Sequence, residues 1–309
     1  MKSCSWTKLL LDKSAETAKF DDPSLHDAVG SAFFRLPPGK DAQMVCEDFL
    51  TEVYRFVIKN LKMGMTPEIF DVTPMECYLT VPAIWTDKAR AATRDAAVAA
   101  GFGSRIFDSI QMTAEPEAAA FAALKKDLRP GSVNAVKLGD NVLILDCGGG
   151  TMDITMYSIR KTFPNLEFDE ICVGIGGKCG STYIDRNFLM LMARRFGQAF
   201  EDVPMKRKGP GSEFMKCFEK DYDEDEASVM LSKRDLECLF EPVVDDILRL
   251  LSQQVRSALR GNAKRINEIY ILGLVVLVGG FGSSDYLKGA IDAWCAKNGG
   301  IKCIRSEFW

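Results

Sequence analysis

Asp146 and Asp153 flank the run Cys147-Gly148-Gly149-Gly150-Thr151-Met152. If those glycines form the turn between two neighbouring strands, both carboxylates converge on one small volume. Glycine permits positive φ and lets backbone N–H groups face a concavity, a nest suited to phosphate oxygens. Thr151 adds a hydroxyl to that nest. Mg²⁺ takes oxygen ligands and keeps much of its water, so one or two carboxylates beside a phosphate suit it. The same residues also suit a plain hairpin turn with two exposed aspartates.

Three further features carry the same kind of chemistry. Gly174-Ile175-Gly176-Gly177-Lys178-Cys179-Gly180-Ser181 reads as a second glycine-rich loop opening a helix at Thr182. A helix N-terminus presents free N–H groups and a positive dipole end, which favours an anion. A glycine loop before a helix is also common in sites that bind nothing. Val278-Gly279-Gly280-Phe281-Gly282-Ser283-Ser284 leaves an apolar run and enters another helix, and glycine there lets a flat ring lie against the backbone. A tight strand-to-helix turn explains it equally well. Glu115 starts a helix at Ala114-Glu115-Pro116-Glu117, where a glutamate ordinarily serves as a cap.

The elements that must position these groups follow from periodicity. Asp41–Asn60 reads as an amphipathic helix with Met44, Phe49, Val53, Phe56 and Val57 as its apolar residues. Glu76–Val81 alternates as a strand, and Thr86 caps a helix over Asp87–Ala100 that stops at Gly101. Phe107–Gln111 is a short apolar segment, and Pro116 begins a helix through Lys126. Arg129–Gly139 is a loop and a plausible boundary. Beyond it, Asn141–Asp146 and Met152–Ile159 form a hairpin, Leu166–Val173 is a third strand, and Thr182–Ala199 is a helix. The charged stretch around Glu219–Glu226 is a solvated insertion, and Leu231–Leu259 reads as two helices meeting near Pro242. Ile269–Val278 is a strand buried on both faces, as central parallel strands are. Strands alternating with helices make the class α/β.

The whole chain excludes several classes. With 309 residues, 47% apolar and 27% charged, it has the balance of a folded globular protein. Thirty-nine basic against 43 acidic residues leave a net charge of −4, with no bulk attraction to nucleic acid or anionic membrane. Ten cysteines without a Cys-x-x-Cys pair, and no signal peptide in Met1–Asp12, point to free thiols in a reducing cytoplasm. One histidine, His26 among Asp22, Ser24 and Asp27, reads as a solvated loop residue rather than a zinc ligand. The ten apolar residues of Ile269–Val278 fall well short of the ~20 needed to span a bilayer.

Taken in order, Thr80-Val81-Pro82-Ala83-Ile84-Trp85, Ala114–Ala120, Leu145–Asp153 and Val278–Gly282 resemble the motif series of the DnaK-type (seventy-kilodalton heat-shock) chaperone ATPase domain. The spelling of Gly177–Thr182 is nearer the divergent fungal and animal relatives than DnaK itself. The resemblance covers roughly residues 72–298 and implies the actin-like ATPase (ribonuclease-H-like) two-lobed fold. It implies a partial first lobe over residues 1–138 and a second lobe over 139–309 with a shortened insertion at about 200–230. It further implies ATP or ADP with Mg²⁺, and co-chaperones or client proteins as partners. On the matching positions, Asp146 and Asp153 would hold Mg²⁺ through water, and Asp146 with Glu115, beside the attacking water, would be the catalytic pair. Gly148, Gly149, Gly150, Thr151, Gly180 and Ser181 would contact phosphate, and Gly279, Gly280 and Gly282 would face ribose and adenine. Adenine would also meet a helix at Ser212–Glu219, through Glu219. The implied mechanism is positioning and charge neutralisation.

The chain departs from the family pattern at both ends. Nothing in Met1–Lys40 matches the family's first phosphate hairpin, and Trp309 precedes its closing helix. The expectation is therefore a truncated relative with weak nucleotide binding and little or no hydrolysis. A non-catalytic interaction module stays open as the alternative. A sugar-kinase-type phosphotransferase would need an acceptor pocket with an aspartate base that no residue here supplies. A filament-forming actin relative fits least, because Thr80–Ala120 follows the chaperone branch.

Overall fold

The structure is a computed structural model that describes residues 10–12, 36–127, 136–209, 212–219, 231–261 and 273–305. His26, residues 129–135 of the expected loop, residues 220–226 of the expected insertion and Ile269–Leu272 lie outside the described residues. The chain divides into two compact units, one of residues 1–136 with 162–166 and the other of residues 137–161 with 167–309.

In the first unit, helix α1 (Ala42–Met63) begins where Asp41 accepts a hydrogen bond from the Met44 N–H at 2.8 Å. A short α2 (Pro67–Val72) precedes strand β1 (Glu76–Val81). Helix α3 (Asp87–Ala100) has Thr86 as its N-cap, accepting from the Ala89 N–H, and stops at Gly101 with φ 110°. Each such cap contributes about 1 kcal/mol. Strand β2 (Ser109–Ala114) runs directly into α4 (Glu115–Asp127). β1 and β2 pair in parallel from Glu76↔Ser109 to Val81↔Ala114. Leu50, Val53 and Tyr54 of α1 pack against Ala97, Ala100, Phe102 and Ile110. That corrects the expected apolar face of α1. Of the five residues named above, Met44, Phe49, Phe56 and Val57 are exposed, because the Leu50–Tyr54 side turns inward instead.

In the second unit, β3 (Asn141–Cys147), β4 (Met152–Lys161), β5 (Glu167–Gly177), β6 (Leu274–Val278) and β7 (Lys302–Arg305) form a sheet of order β5-β4-β3-β6-β7. The β5-β4-β3 part is antiparallel, and β3, β6 and β7 are parallel. All five residues of β6 are buried, as a strand between two parallel partners requires. Helices α5 (Thr182–Phe196), α6 (Gln198–Glu201), α7 (Met205–Lys208) and α8 (Glu213–Glu219) follow β5. Helix α9 (Lys233–Gly261) and, after a 3-10 turn at Gly280–Ser283, α10 (Asp285–Lys297) complete the unit.

Three expectations change here. The helix expected over Thr182–Ala199 breaks at Gly197, whose φ of 52° and ψ of −137° no helix accommodates. Leu231–Leu259 is one helix, not two: Pro242 lies inside α9. Proline there removes one N–H and crowds the preceding turn, ordinarily costing about 3 kcal/mol. Burial of Leu239, Val243, Val244, Ile247, Leu251 and Ala258 offsets it. Finally, β5 continues through Gly174–Gly177, pairing with Met152–Ile154, so the second glycine-rich loop shortens to residues 178–181. Gly177 is glycine for packing, since a Cβ there would stand 2.7 Å from Leu250 Cδ1 of α9.

Candidate functional site

The first glycine motif is the connection between β3 and β4. Asp146 and Asp153 are direct cross-strand partners, one register step inside Cys147↔Met152. Opposed Cα atoms in such a pair stand roughly 4.5–5.5 Å apart, with both side chains on one face. Thr155, two residues along that face, has a buried hydroxyl that makes no hydrogen bond among the described residues. Gly148, Gly149, Gly150 and Thr151 close the turn, with the Gly148 N–H donating to the Thr151 carbonyl at 2.9 Å.

The other two glycine motifs meet this turn from different elements. From the start of α5, the Ser181 N–H donates to the Gly148 carbonyl at 3.2 Å and the Thr182 N–H to the Gly149 carbonyl at 2.9 Å. The Thr182 hydroxyl donates to that same Gly149 oxygen at 2.6 Å. Gly180 lies so close that a Cβ would stand 2.2 Å from the Gly149 oxygen. From the end of β6, Gly279 takes φ 83°, and a Cβ on it would stand 2.5 Å from Asp146 Oδ1 and 2.4 Å from the Cys147 carbonyl oxygen. Gly280 has open space where its Cβ would be, whereas Gly282 backs onto Leu277. Three segments spread over more than 130 residues therefore share one locus.

Two buried thiols, Cys147 and Cys179, adjoin these motifs. Burial pushes the Cys147 thiol well up, with Cys179, Asp146 and Asp153 adding to the effect. Burial also pushes Cys179 up to about 12, helped by Asp246 and Asp153 and opposed by Arg249. Both are protonated at neutral pH, and a thiol is a poor nucleophile without its thiolate. Backbone and carboxylate groups are therefore the groups at this locus that are poised to interact, and the thiols are not.

The carboxylates fit a hydrated divalent cation. Like charges directly opposite across a pair of strands destabilise the sheet, and a cation between them reverses that sign. Among the described residues no cluster of three or more His, Cys, Asp or Glu could hold a metal by itself. Two oxygens with water completing the shell suit Mg²⁺ rather than Zn²⁺.

Of the remaining expected site residues, Glu115 belongs to the first unit, where it begins α4 immediately after β2. Its neighbour Glu117 accepts from the Thr113 hydroxyl at 2.9 Å. Ser212 is buried and accepts from the Met215 N–H at the start of α8. The side chain of Glu219 lies outside the described residues. Reading the sequence alone missed the contact that Thr182 makes. Its only signal was a hydroxyl residue at the first helical position after a glycine loop.

Comparison with known proteins relates part of the chain to one family. The family model described as Hsp70 protein matches residues 38–178, a span that holds Glu115, Asp146 and Asp153 and stops before Gly180. The chain is 25% identical to mouse heat shock 70 kDa protein 12A over 223 residues, covering 54% of this chain and 33% of that protein. Human heat shock 70 kDa protein 12B is 26% identical over 195 residues, 48% of this chain and 28% of the relative. The chaperone protein DnaK of Thermoplasma volcanium is 33% identical over 117 residues, 38% of this chain and 16% of that protein. The matched part thus spans a third or less of these relatives' lengths.

Proposed function

From its standing as a divergent relative of the Hsp70 family, we propose that this chain binds an adenine nucleotide together with Mg²⁺ in its second unit. The observation that carries the reading is the convergence of the three glycine motifs on the Asp146–Asp153 pair. In this reading Asp146 and Asp153 hold Mg²⁺ through water, and Mg²⁺ supplies charge neutralisation at the terminal phosphates. The Gly148–Thr151 turn cradles phosphate oxygens, and the Gly279–Gly282 segment, with open space at Gly280, faces the nucleoside. Little or no hydrolysis is part of the same proposal, because nothing in Met1–Lys40 reads as a second phosphate hairpin. Co-chaperones or client proteins as partners, and a cytoplasmic setting, are part of the same proposal. No described helix is long and apolar enough to cross a membrane.

Titration of the full chain with ATP, with and without Mg²⁺, tests this. Wild type binds more tightly with Mg²⁺, and Asp146→Asn abolishes that Mg²⁺ dependence while adenosine binding persists. Equal Mg²⁺ dependence in wild type and variant removes the carboxylates from the site. No binding of any nucleotide favours the interaction-module reading.

A further inference from the structure

The N-terminus of α5 spends its first amides on the glycine turn. Ser181 and Thr182 donate their N–H groups to the Gly148 and Gly149 carbonyls, and the Thr182 hydroxyl takes a second position on the Gly149 oxygen. A trans peptide holds its C=O and N–H antiparallel. The Gly148 carbonyl shares a peptide plane with the Gly149 N–H, and the Gly149 carbonyl with the Gly150 N–H. Both N–H groups consequently point away from α5, and among the described residues neither donates to a protein acceptor.

We infer that Thr182 is a positioning residue, and that α5 acts on the bound phosphate through the turn and not by touching it. Hydrogen bonds in series polarise one another, so donors at the carbonyl end strengthen the N–H at the other end of each peptide. The positive end of the helix dipole pushes in the same direction. Thr182 is the pivotal member because it alone places two donors on one carbonyl, at 2.9 Å and 2.6 Å. Gly180 is what lets the two segments approach, since any side chain there would collide with the Gly149 oxygen. This inference rests on the nucleotide reading and adds to it which amides meet the anion and what aims them.

Amide resonances of the full-length chain, followed on addition of Mg·ADP and separately of adenosine, test it directly. The Gly149 and Gly150 amide protons move downfield with Mg·ADP and not with adenosine, while those of Ser181 and Thr182 stay near their free positions. The reverse pattern overturns the inference. In parallel, Thr182→Val and Thr182→Ala weaken Mg·ADP about tenfold, as expected for a lost hydrogen bond to a site element. Thr182→Ser binds within about twofold of wild type, since its hydroxyl makes the same bond. Adenosine binds all four proteins alike. A Ser variant as weak as Val, an equal loss toward adenosine, or no loss at all each overturns the role of Thr182 and leaves the nucleotide reading standing. A wild type that binds no Mg·ADP overturns both. The resonance test needs no variant to fold.

Discussion

The two units hold the segments that carry their candidate residues with different degrees of constraint. In the second unit, the β3–β4 turn is held by backbone from α5 on one side and by Gly279 on the other, over a five-stranded sheet. In the first unit, β1 and β2 form a two-stranded parallel sheet, and β2 hands over to α4 at Glu115. Parallel pairing is slightly weaker per residue than antiparallel, and two strands alone need helical cover. Large apolar side chains stay in solvent there, including Phe49 and Phe56 at 68% exposure and Ile106 at 89%. The difference teaches where precision is stored. A turn keeps its geometry when several elements over-determine it, and that condition is met in the second unit.

Gly279→Ala breaks the comparison hardest. A Cβ at φ 83° would meet the Cys147 carbonyl oxygen at 2.4 Å, combining backbone strain with overpacking. The expected loss is roughly 3–5 kcal/mol in urea unfolding. Gly280→Ala, with nothing within 4 Å, stays within about 0.5 kcal/mol. Equal effects would mean that β6 does not press on the turn.

A core truncation comes next. Ile144 is fully buried in β3, and Ile144→Ala costs about 3 kcal/mol in the same assay. Phe56→Ser on α1 changes stability by less than about 0.5 kcal/mol and raises solubility. A large loss at Phe56 would show that its exposed face is covered in solution.

The smallest effect concerns pH. Burial raises Cys179 from 9.0 to about 12, so the folded chain keeps that proton to higher pH than the unfolded chain. The associated stability is complete below pH 9 and falls as pH rises toward 12, by at most about 1.4 kcal/mol per pH unit. Cys179→Ala therefore flattens the decline of unfolding free energy between pH 9 and 10.5. An unchanged slope would place the effect on other groups.

Much of the candidate site's geometry was legible because its signals are local. Asp146 and Asp153 sit symmetrically about four turn residues, so strand pairing alone makes them partners. The order of the glycine motifs then singled out Gly180 and Gly279. What escaped was the reason for each glycine. Gly177 makes room for Leu250, and Gly180 makes room for the Gly149 carbonyl. Those neighbours are 73 and 31 residues away, and no local periodicity encodes them.

By itself, the sequence determined what short-range physics controls. Asp41 and Thr86 cap their helices, Gly101 ends α3 with a positive φ, and Asp146 faces Asp153 across the hairpin. Those outcomes depend on hydrogen bonds and dihedral preferences within a few residues. Only the tertiary structure decided that α9 runs on through Pro242, that β5 continues across Gly174–Gly177, and which side of α1 turns inward. It also decided that Thr182 holds the Gly149 carbonyl. In each case local preference was weak or adverse, and contacts between distant segments set the balance.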